Sequence, residues 1–174
     1  MIENFEIERK YIIKSPDLNK IRELSNRQIN ITQTYIGLDD NGFNCRIRKV
    51  VENGNTRFIL TEKKKISNIK RIENEREISN EEYNKLFEKR LKNHNVIEKT
   101  RYCINENGFI YEIDIFSFWQ KIAFLEVELE NEKIIPPIPD YLSVITEVTE
   151  KKGFSNYSLS KTIPDENKIL KGEF

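Results

Sequence analysis

Residues 5–13 read FEIERKYII and alternate between apolar and charged side chains, as an amphipathic β-strand does. Successive side chains of a strand point to opposite faces, so Glu6, Glu8 and Lys10 share one face. Two carboxylates and one ammonium in a row fit a solvated outer face. They also fit a site that holds a metal ion and a phosphate. The other strands decide between these readings, because the same pattern recurs in them.

The composition limits the partners and the compartment. The 174 residues suggest one domain, and the charges are balanced and intermixed, which gives no indication of a nucleic acid or a membrane surface as partner. No apolar run is as long as a membrane span, and the first residues do not have the layout of a secretory signal. We therefore expect a cytoplasmic protein.

The rarity of cysteine and histidine limits the chemistry. Cys45 and Cys103 do not form a CxxC motif, which argues against a disulfide scaffold or a zinc site. His94 is the only histidine, so Ser-His-Asp, Cys-His and multi-histidine metal sites are excluded. Catalysis in this chain would depend on carboxylates, basic groups and a metal ion. We expect His94 in a surface loop and both cysteines in outer-face packing.

Eight segments have the residue types and turn boundaries of strands. They are residues 4–13, 31–38, 43–51, 56–64, 70–78, 97–104, 109–116 and 122–129. Short turns connect several of them, so neighbouring strands are predicted to be antiparallel. Helices are predicted after Ser15-Pro16-Asp17 and from Ser79, where Glu82 completes a capping box.

The end of the chain carries weaker signals. Three prolines interrupt it after the last strand, and we expect a short helix within residues 140–160. Residues from Pro164 look polar and loosely held. The sequence therefore predicts one domain over residues 1–163 and a flexible tail over residues 164–174.

The alternation recurs in strand after strand. A solvated sheet face explains any single case, but such faces usually carry Thr, Ser and Gln as well as charges. Here the polar faces repeatedly carry Arg and Glu, and the two amphipathic helices need the apolar face to pack against. Eight antiparallel strands can close into a barrel. We therefore predict an α+β fold, a closed barrel with helices outside and charges pointing into the lumen.

The two sets of charges in the lumen fit different ligands. Arginine presents a planar fork to phosphate, so the basic set suits a polyanion. This set is Lys10, Arg46, Arg48, Lys63, Arg71, Lys99 and Arg101. Carboxylates are the ligands of hard divalent cations, and the candidate set is Glu6, Glu8, Glu126 and Glu128. A polyphosphate with its metal ion would use both sets together.

The same residues resemble the motifs of the CYTH superfamily, the triphosphate tunnel metalloenzymes. Glu6-x-Glu8-x-Lys10 resembles the ExExK signature of that family. Further elements resemble it in chain order over about residues 4–160, and these are Arg46-x-Arg48, Lys63, Arg71-x-Glu73-x-Glu75, Lys99-x-Arg101-Tyr102, Glu112-x-Asp114-x-Phe116 and Glu126-x-Glu128. The resemblance implies an eight-stranded tunnel that binds a triphosphate with Mg²⁺ or Mn²⁺. Short bacterial inorganic triphosphatases are the most similar branch.

The resemblance also implies roles for residues. The basic set would grip the phosphates, with Lys10 also acting in catalysis, and the four glutamates would hold metal ions. Glu73 and Glu75 would position a second metal ion or the attacking water. Additional candidates are Glu112, Asp114 and Lys152.

One segment departs from the family pattern. Residues 149–156 read TEKKGFSN where relatives have TxDxRYxN, so Lys151, Gly153 and Phe154 replace an aspartate, an arginine and a tyrosine. Lys151 or Lys152 is the candidate substitute for the lost charge, and Gly153 is expected to loosen the closing helix.

The leading hypothesis is metal-dependent hydrolysis of inorganic tripolyphosphate by water. The alternatives are a class IV adenylate cyclase, a thiamine triphosphatase that uses Trp119 or Phe118 as an aromatic surface, and a polyphosphate- or nucleotide-binding module without turnover. The outer face of the barrel is compatible with a homodimer.

Overall fold

The computed structural model describes residues 5–39, 42–67 and 70–173. One sheet contains the strands β1 (Phe5–Lys14), β2 (Arg27–Leu38), β3 (Asn44–Glu52), β4 (Asn55–Lys65), β5 (Lys70–Ile78), β6 (Ile97–Glu106), β7 (Phe109–Phe116), β8 (Ile122–Glu128) and β9 (Val144–Glu147). The strand order is β5-β4-β3-β2-β6-β7-β8-β1-β9, and β1 also pairs with β5. This last pairing closes the first eight strands into a barrel, which confirms the predicted fold class.

Strand β1 has three neighbours. All of its residues from Glu8 to Lys14 pair with β8. On its other edge, residues 5–7 pair with β5, and Glu6 lies opposite Arg71. Residues 11–13 pair with β9 on that same edge. The barrel seam between β1 and β5 is therefore short, and β9 covers the rest of this edge.

The apolar faces of the strands point outward and are covered by helices α1 (Leu18–Leu24) and α2 (Asn80–Glu88). Ile21 of α1 packs with Tyr11 and Ile13, the residues that alternate with the charges of β1. Tyr83 of α2 packs with Ile47 and related residues of β3 to β5. Burial of these side chains fixes the charged positions on the inside, because a one-residue shift would exchange the two faces.

The helix caps differ in detail from the predicted ones, which are Ser15 for α1 and a Ser79–Glu82 capping box for α2. The N-cap of α1 is Asp17, whose carboxylate accepts from the amides of Asn19 and Lys20. Ser79 caps α2 by accepting from the amide of Glu82, as predicted. The carboxylate of Glu82 instead contacts Arg76.

Residues 140–160 differ from the single helix that we predicted. The strand β9 lies there, and a helix, α3 (Asn156–Lys161), begins only near the end of the segment. Val144, Ile145 and Thr146 are β-branched, and the open edge of β1 provides their hydrogen-bonding partner. The partner is more than 100 residues away in the sequence, which is why local pattern alone does not reveal the strand.

The last residues pack against the barrel and are not the loose tail that we expected. They form a helix, α4 (Glu166–Leu170), whose Ile169 is 1% exposed. The indole Nε1 of Trp119 donates to the carbonyl of Pro164 at 3.0 Å. The Glu166 carboxylate accepts from the amides of residues 120 and 121.

An apolar cluster fills the end of the barrel where α3 and α4 lie. It consists of Ile12, Ile97, Phe116, Trp119, Ile122, Phe124, Val148, Phe154, Leu159 and Ile169. Ile12 and Phe124 continue the inward-facing positions of β1 and β8, so the cluster forms a floor beneath the charged lumen. Within the described residues, no helix is long and apolar enough to span a bilayer.

The packing of α4 predicts a stability difference between two neighbouring residues. Ile169→Ala should lower the free energy of unfolding by about 2–4 kcal/mol, because it opens a cavity in the floor. Leu170→Ala is the matched control, since Leu170 is 38% exposed and should change stability by less than about 1 kcal/mol. Urea unfolding followed by circular dichroism measures both. Equal effects would contradict the packed position of α4.

Candidate active site

The lumen is a cavity of about 860 Å³ that gathers the charges predicted from the sequence. Its lining includes Glu6, Glu8, Lys10, Arg46, Arg48, Lys63, Arg71, Glu73, Glu75, Lys99, Arg101, Glu112, Glu126 and Glu128. Asp114 lies behind this surface, fully buried, and contacts the guanidinium of Arg101. Lys152 is exposed and is absent from the described lining, so the structure does not bring it to the site.

The strand register explains why these side chains meet. Glu8 lies opposite Glu128, and Lys10 lies opposite Glu126, which in turn lies opposite Glu112 on the next strand. Residues directly opposite each other on antiparallel strands point to the same face, with Cβ atoms about 5 Å apart. Strands of seven to eleven residues with alternating charge thus form one charged surface when the barrel closes.

One side of the lumen is organised around Arg101. Its Nε and Nη2 donate to the two oxygens of Asp114 at 2.7 Å each, and it also pairs with Glu112 and, at 2.5 Å, with Glu126. Lys10 contacts the other oxygen of Glu126 at 2.6 Å. Both carboxylate oxygens of Glu126 are therefore occupied by bases.

The pKa values on this side follow from burial and close charges. Burial alone would raise the pKa of Glu126, but Lys10 and Arg101 outweigh it and hold the pKa well below its usual range. Burial, together with the nearby charge of Arg101, lowers the pKa of Lys99 to about 8, although Lys99 contacts Asp114. The charged groups here depend on one another for neutralisation.

A second group of ion pairs lies at the β1–β5 seam. Lys63 contacts Glu6 at 2.8 Å and Glu73 at 2.5 Å, and Arg71 contacts Glu8. Because Glu6 and Glu8 belong to β1 while their partners belong to β4 and β5, these pairs tie the two sides of the seam together.

Arg46 and Arg48 extend from β3 into the same region. Arg46 contacts Glu73 at 3.3 Å, and Arg48 contacts Glu75, which also accepts from the hydroxyl of Thr61 at 2.9 Å. Burial, and then the charge of Arg46, lowers the pKa of Arg48 to about 10, so Arg48 remains charged at neutral pH. Two adjacent guanidinium groups in one wall make this part of the lumen strongly attractive to an anion.

Glu128 differs from the other glutamates of the lumen. It is exposed to the cavity, and no ion pair to it occurs among the described residues. Burial raises the pKa of Glu128, and the charges of Glu6 and Glu8 raise it further. These three carboxylates therefore form a locally negative corner, whose oxygen donors suit a hard divalent cation.

The carboxylates do not already converge as a metal site. In residues 5–39, 42–67 and 70–173, no group of three or more carboxylate, histidine or cysteine side chains is arranged to hold a metal ion. The reason lies in the ion pairs, because Glu6, Glu8 and Glu126 each point at a base. The donor chemistry fits a divalent cation, and binding would require these carboxylates to turn away from their bases.

The sequence reasoning missed a polar group at the closed end of the lumen. The Gln33 side-chain amide donates to the hydroxyl of Tyr35 at 2.9 Å, and the Tyr35 ring packs edge-on against Tyr157 of α3 at 5.0 Å. Asn156, beside Tyr157, also lines the cavity. Strand alternation alone could have placed Gln33 and Tyr35 inside, but the strand predicted over residues 31–38 carries no charge and so gave no reason to single them out.

His94 lies in the loop between α2 and β6, as predicted, but its side chain is less exposed than we expected. It is partly buried, and its ring packs against Tyr157 at a centroid distance of 5.1 Å and against Tyr35 at 6.5 Å. Burial, with the nearby charge of Lys161, lowers its pKa. His94 therefore helps to hold α3 against the barrel.

One wall of the lumen is aliphatic. Ile29, Ile31, Val50 and Ile59 line it. Cys103 packs with these residues and shares a strand face with Lys99 and Arg101, so it lies on the inner side, contrary to our expectation. Burial raises the pKa of the Cys103 thiol to about 11, which makes it unreactive at neutral pH.

The structure does not support an aromatic surface at Trp119. This side chain is 4% exposed, belongs to the apolar floor, and packs against Phe118 at 5.0 Å. Neither residue is part of the described lining of the cavity. A thiamine ring would therefore not meet Trp119 or Phe118 in the tunnel.

The departure from the family pattern also has a structural explanation. Gly153 lies in a turn at φ +104°, before α3 begins. It therefore does not loosen the helix, contrary to our expectation. Phe154 is 6% exposed within the apolar floor, and Ser155 caps α3. Lys151 is exposed, and its ammonium contacts the Thr146 hydroxyl at 3.3 Å.

Comparison with known proteins agrees with this geometry. The CYTH domain profile matches residues 4–137. An inorganic triphosphatase from Acetivibrio thermocellus is 31% identical over 157 residues, which cover 90% of this chain and 93% of the relative.

Solved structures share the fold. The inorganic triphosphatase NE1496 is 26% identical, with a TM-score of 0.57, and the match covers 92% of this chain and 97% of that one. The PH1819 protein from Pyrococcus horikoshii OT3 is also 26% identical, with a TM-score of 0.55, over 74% of this chain and 80% of that one.

The environment of Glu112 predicts that part of the free energy of unfolding depends on pH. Burial, with the charges of Glu126 and Asp114, raises its pKa to about 7 against the attraction of Arg101. The folded state therefore holds this proton more tightly than the unfolded state, and the protein loses stability as pH rises through the interval from about 4.5 to 7. Glu112→Gln removes this part of the pH dependence.

We therefore compare the free energy of unfolding of Glu112→Gln with that of the wild type at two pH values. The variant minus wild-type difference should be about 1–3 kcal/mol more favourable to the variant at pH 8 than at pH 5. Urea titrations at both pH values measure the difference. Glu130→Gln, an exposed change outside the described lining, is the control and should show no such trend. A constant difference between Glu112→Gln and the wild type would contradict the raised pKa.

Proposed function

Because the chain belongs to the CYTH family, we propose that it is a divalent-metal-dependent triphosphatase that hydrolyses inorganic tripolyphosphate. The observation that carries the proposal is the closed lumen with its inward-facing rows of bases and carboxylates. Such a lumen is costly in a folded protein unless the charges pair or bind a ligand. The relative from Acetivibrio thermocellus, an inorganic triphosphatase, supports the choice of reaction.

The phosphates would be gripped by the basic set, which is Lys10, Arg46, Arg48, Lys63, Arg71, Lys99 and Arg101. The Nε atoms of Arg46 and Arg48 are buried and lack a hydrogen-bond acceptor among the described residues. Buried donors without an acceptor are costly, and a phosphate oxygen would satisfy them. Arg46 and Arg48 are therefore the best-supported phosphate ligands.

The carboxylates Glu6, Glu8, Glu126 and Glu128 would hold Mg²⁺ or Mn²⁺. A bound divalent cation would supply positive charge against the oxygens of the triphosphate. Glu128 is the most available of the four, because the others contact bases, and Glu126 has both oxygens occupied. Glu112 and Asp114 would act indirectly, by orienting Arg101.

Glu73 and Glu75 would orient the attacking water for in-line displacement at the terminal phosphorus. Glu75 suits this role because its side chain is 39% exposed to the cavity while Thr61 and Arg48 fix its direction. Lys10 would offset the charge that develops on the transferring phosphoryl group. The products would be phosphate and diphosphate, with the basic set neutralising the leaving group.

The expectations of a cytoplasmic location and a homodimer stay predictions. Size-exclusion chromatography with light scattering tests the second of them. An exclusively monomeric species at micromolar concentration would contradict the homodimer.

The metal ligands give a direct test by mutation. Glu8→Gln and Glu128→Gln should lower the rate of phosphate release from tripolyphosphate on the order of 10²-fold or more, because each removes an oxygen donor with its charge. Glu130→Gln should keep the wild-type rate, since it makes the same chemical change two residues beyond Glu128 and outside the described lining. Full activity of both tunnel variants would contradict the assignment.

The substrate is tested with metal-stripped protein given Mg²⁺ or Mn²⁺. Tripolyphosphate, ATP and thiamine triphosphate are compared by product analysis, and we expect the fastest phosphate release from tripolyphosphate. Cyclic AMP with diphosphate from ATP would show a cyclase. Preferred hydrolysis of thiamine triphosphate would show that branch, and binding without turnover would show a binding module.

A further inference from the structure

The charged side chains that line the lumen neutralise one another, and this affects how ligands bind there. Resting on the proposed function, we propose that the internal ion pairs make the binding of triphosphate and of divalent cation mutually dependent. Each ligand alone binds weakly because it breaks ion pairs. The two together bind strongly because the triphosphate contacts the bases of the broken pairs and the cation contacts their carboxylates.

Every candidate phosphate ligand already contacts a carboxylate. The pairs are Lys10–Glu126 at 2.6 Å, Lys63–Glu6 at 2.8 Å, Arg46–Glu73 at 3.3 Å and Arg101–Glu126 at 2.5 Å, together with Arg71–Glu8, Arg48–Glu75 and Lys99–Asp114. The carboxylates in these pairs include Glu6, Glu8 and Glu126, which are three of the four candidate metal ligands. In the pairs that contain these glutamates, the triphosphate would compete with the carboxylate for the base, and the cation would compete with the base for the carboxylate.

The burial of these groups makes a half-broken pair unfavourable. The side chains of Lys10 and Glu126 are 9% and 6% exposed, and that of Glu8 is 10% exposed. A phosphate that draws Arg71 away from Glu8 leaves a carboxylate with little access to water. A cation that takes Glu8 removes the closest partner of Arg71 and leaves it only the more distant Glu6, at 3.6 Å. A buried charge without a partner is strongly destabilising, whereas exchanging one partner for another is not.

The charge balance of the lumen points the same way. The described lining of the cavity holds ten bases and seven carboxylates, so most of its positive charge is already neutralised before a polyanion enters. Glu6, Glu8 and Glu128 add local repulsion of an anion near the seam. A triphosphate whose charge is largely cancelled by divalent cations matches this balance. The coupling must be reciprocal, because the metal and the anion are linked through the same equilibrium.

The pair Arg71–Glu8 allows a test with an unusual expected sign. Glu8→Gln removes a candidate metal ligand and also releases Arg71 from its closest partner. Removing a carboxylate from the lumen also lessens its repulsion of an anion, and Glu128→Gln measures that effect, because Glu128 forms no ion pair among the described residues. Under the coupling, Glu8→Gln should bind the metal-free anion more tightly than both the wild type and Glu128→Gln do, because one ion pair no longer has to break.

The experiment is isothermal titration calorimetry with metal-stripped protein. The probe is the tripolyphosphate analogue with methylene groups in place of the bridging oxygens, titrated with and without Mg²⁺. For the wild type, Mg²⁺ should tighten binding by about 5- to 150-fold. For Glu8→Gln, metal-free binding should be several-fold tighter than in the wild type, and the gain from Mg²⁺ should shrink.

Glu82→Gln is the matched control. It makes the same charge change at an exposed ion pair, Arg76–Glu82, outside the described lining of the cavity, and should bind as the wild type does. Glu6→Gln, which releases Lys63 from one partner, provides the same test if Glu8→Gln does not fold. Thermal unfolding of each variant shows which of them is folded.

Two results would overturn the proposal. One is equal affinity of the wild type for the analogue with and without Mg²⁺. The other is metal-free binding by Glu8→Gln and Glu6→Gln that is no tighter than that of the wild type or of Glu128→Gln. Hydrolysis is assayed separately. Coupled binding without phosphate release would refute the proposed function and leave the coupling intact, while hydrolysis with uncoupled binding would refute the coupling alone.

Discussion

The neutralisation of inward-facing charge is the constraint on which the structure depends. Arg101 contacts Asp114, Glu112 and Glu126, and Lys10 contacts Glu126, deep within the barrel. Removing one member would leave the others charged in a poorly hydrated space, at a cost of several kcal/mol. The strand register is what prevents this, because it places each base beside carboxylates of neighbouring strands. The fold and the electrostatics of the lumen therefore require each other.

The outer layer and the floor provide the stability that a charged lumen lacks. Apolar side chains such as Ile13 and Leu125 are fully buried beneath α1, on the faces opposite the charges. At the floor, Phe124 packs against Phe116 and Trp119, while Lys10 lies 5.2 Å from the Phe124 ring. Burial of this apolar surface offsets the cost of dehydrating the ion pairs. The functional surface is thus supported by residues that never contact a ligand.

Much of the barrel and many of the charges could be predicted from the sequence, because strand alternation is a local property. The pattern of β1 places Glu6, Glu8 and Lys10 on one face, and the same rule finds Arg46 and Arg48. Local rules fail where distant partners decide the structure. Strand β9 exists because β1 has an open edge, and Ile169 is buried because Trp119 and Glu166 anchor its segment.

Strand alternation identifies inward-facing residues, but it does not show which of them belong to the functional site. Gln33 and Tyr35 carry no charge, and Cys103 looks like a packing residue until its neighbours are known. The partners of the charged residues were also beyond the sequence. The composition shows equal acids and bases, but only the register shows that candidate metal ligands contact candidate phosphate ligands. That pairing is the central physical feature of the site.

The most direct test is a crystal structure of the protein with Mg²⁺ and the methylene-bridged tripolyphosphate analogue. The account predicts that the analogue lies inside the lumen against Arg46, Arg48 and Arg71, with Glu8 turned from Arg71 toward the cation. An analogue bound outside the lumen, with the Arg71–Glu8 and Lys63–Glu6 pairs intact, would contradict it.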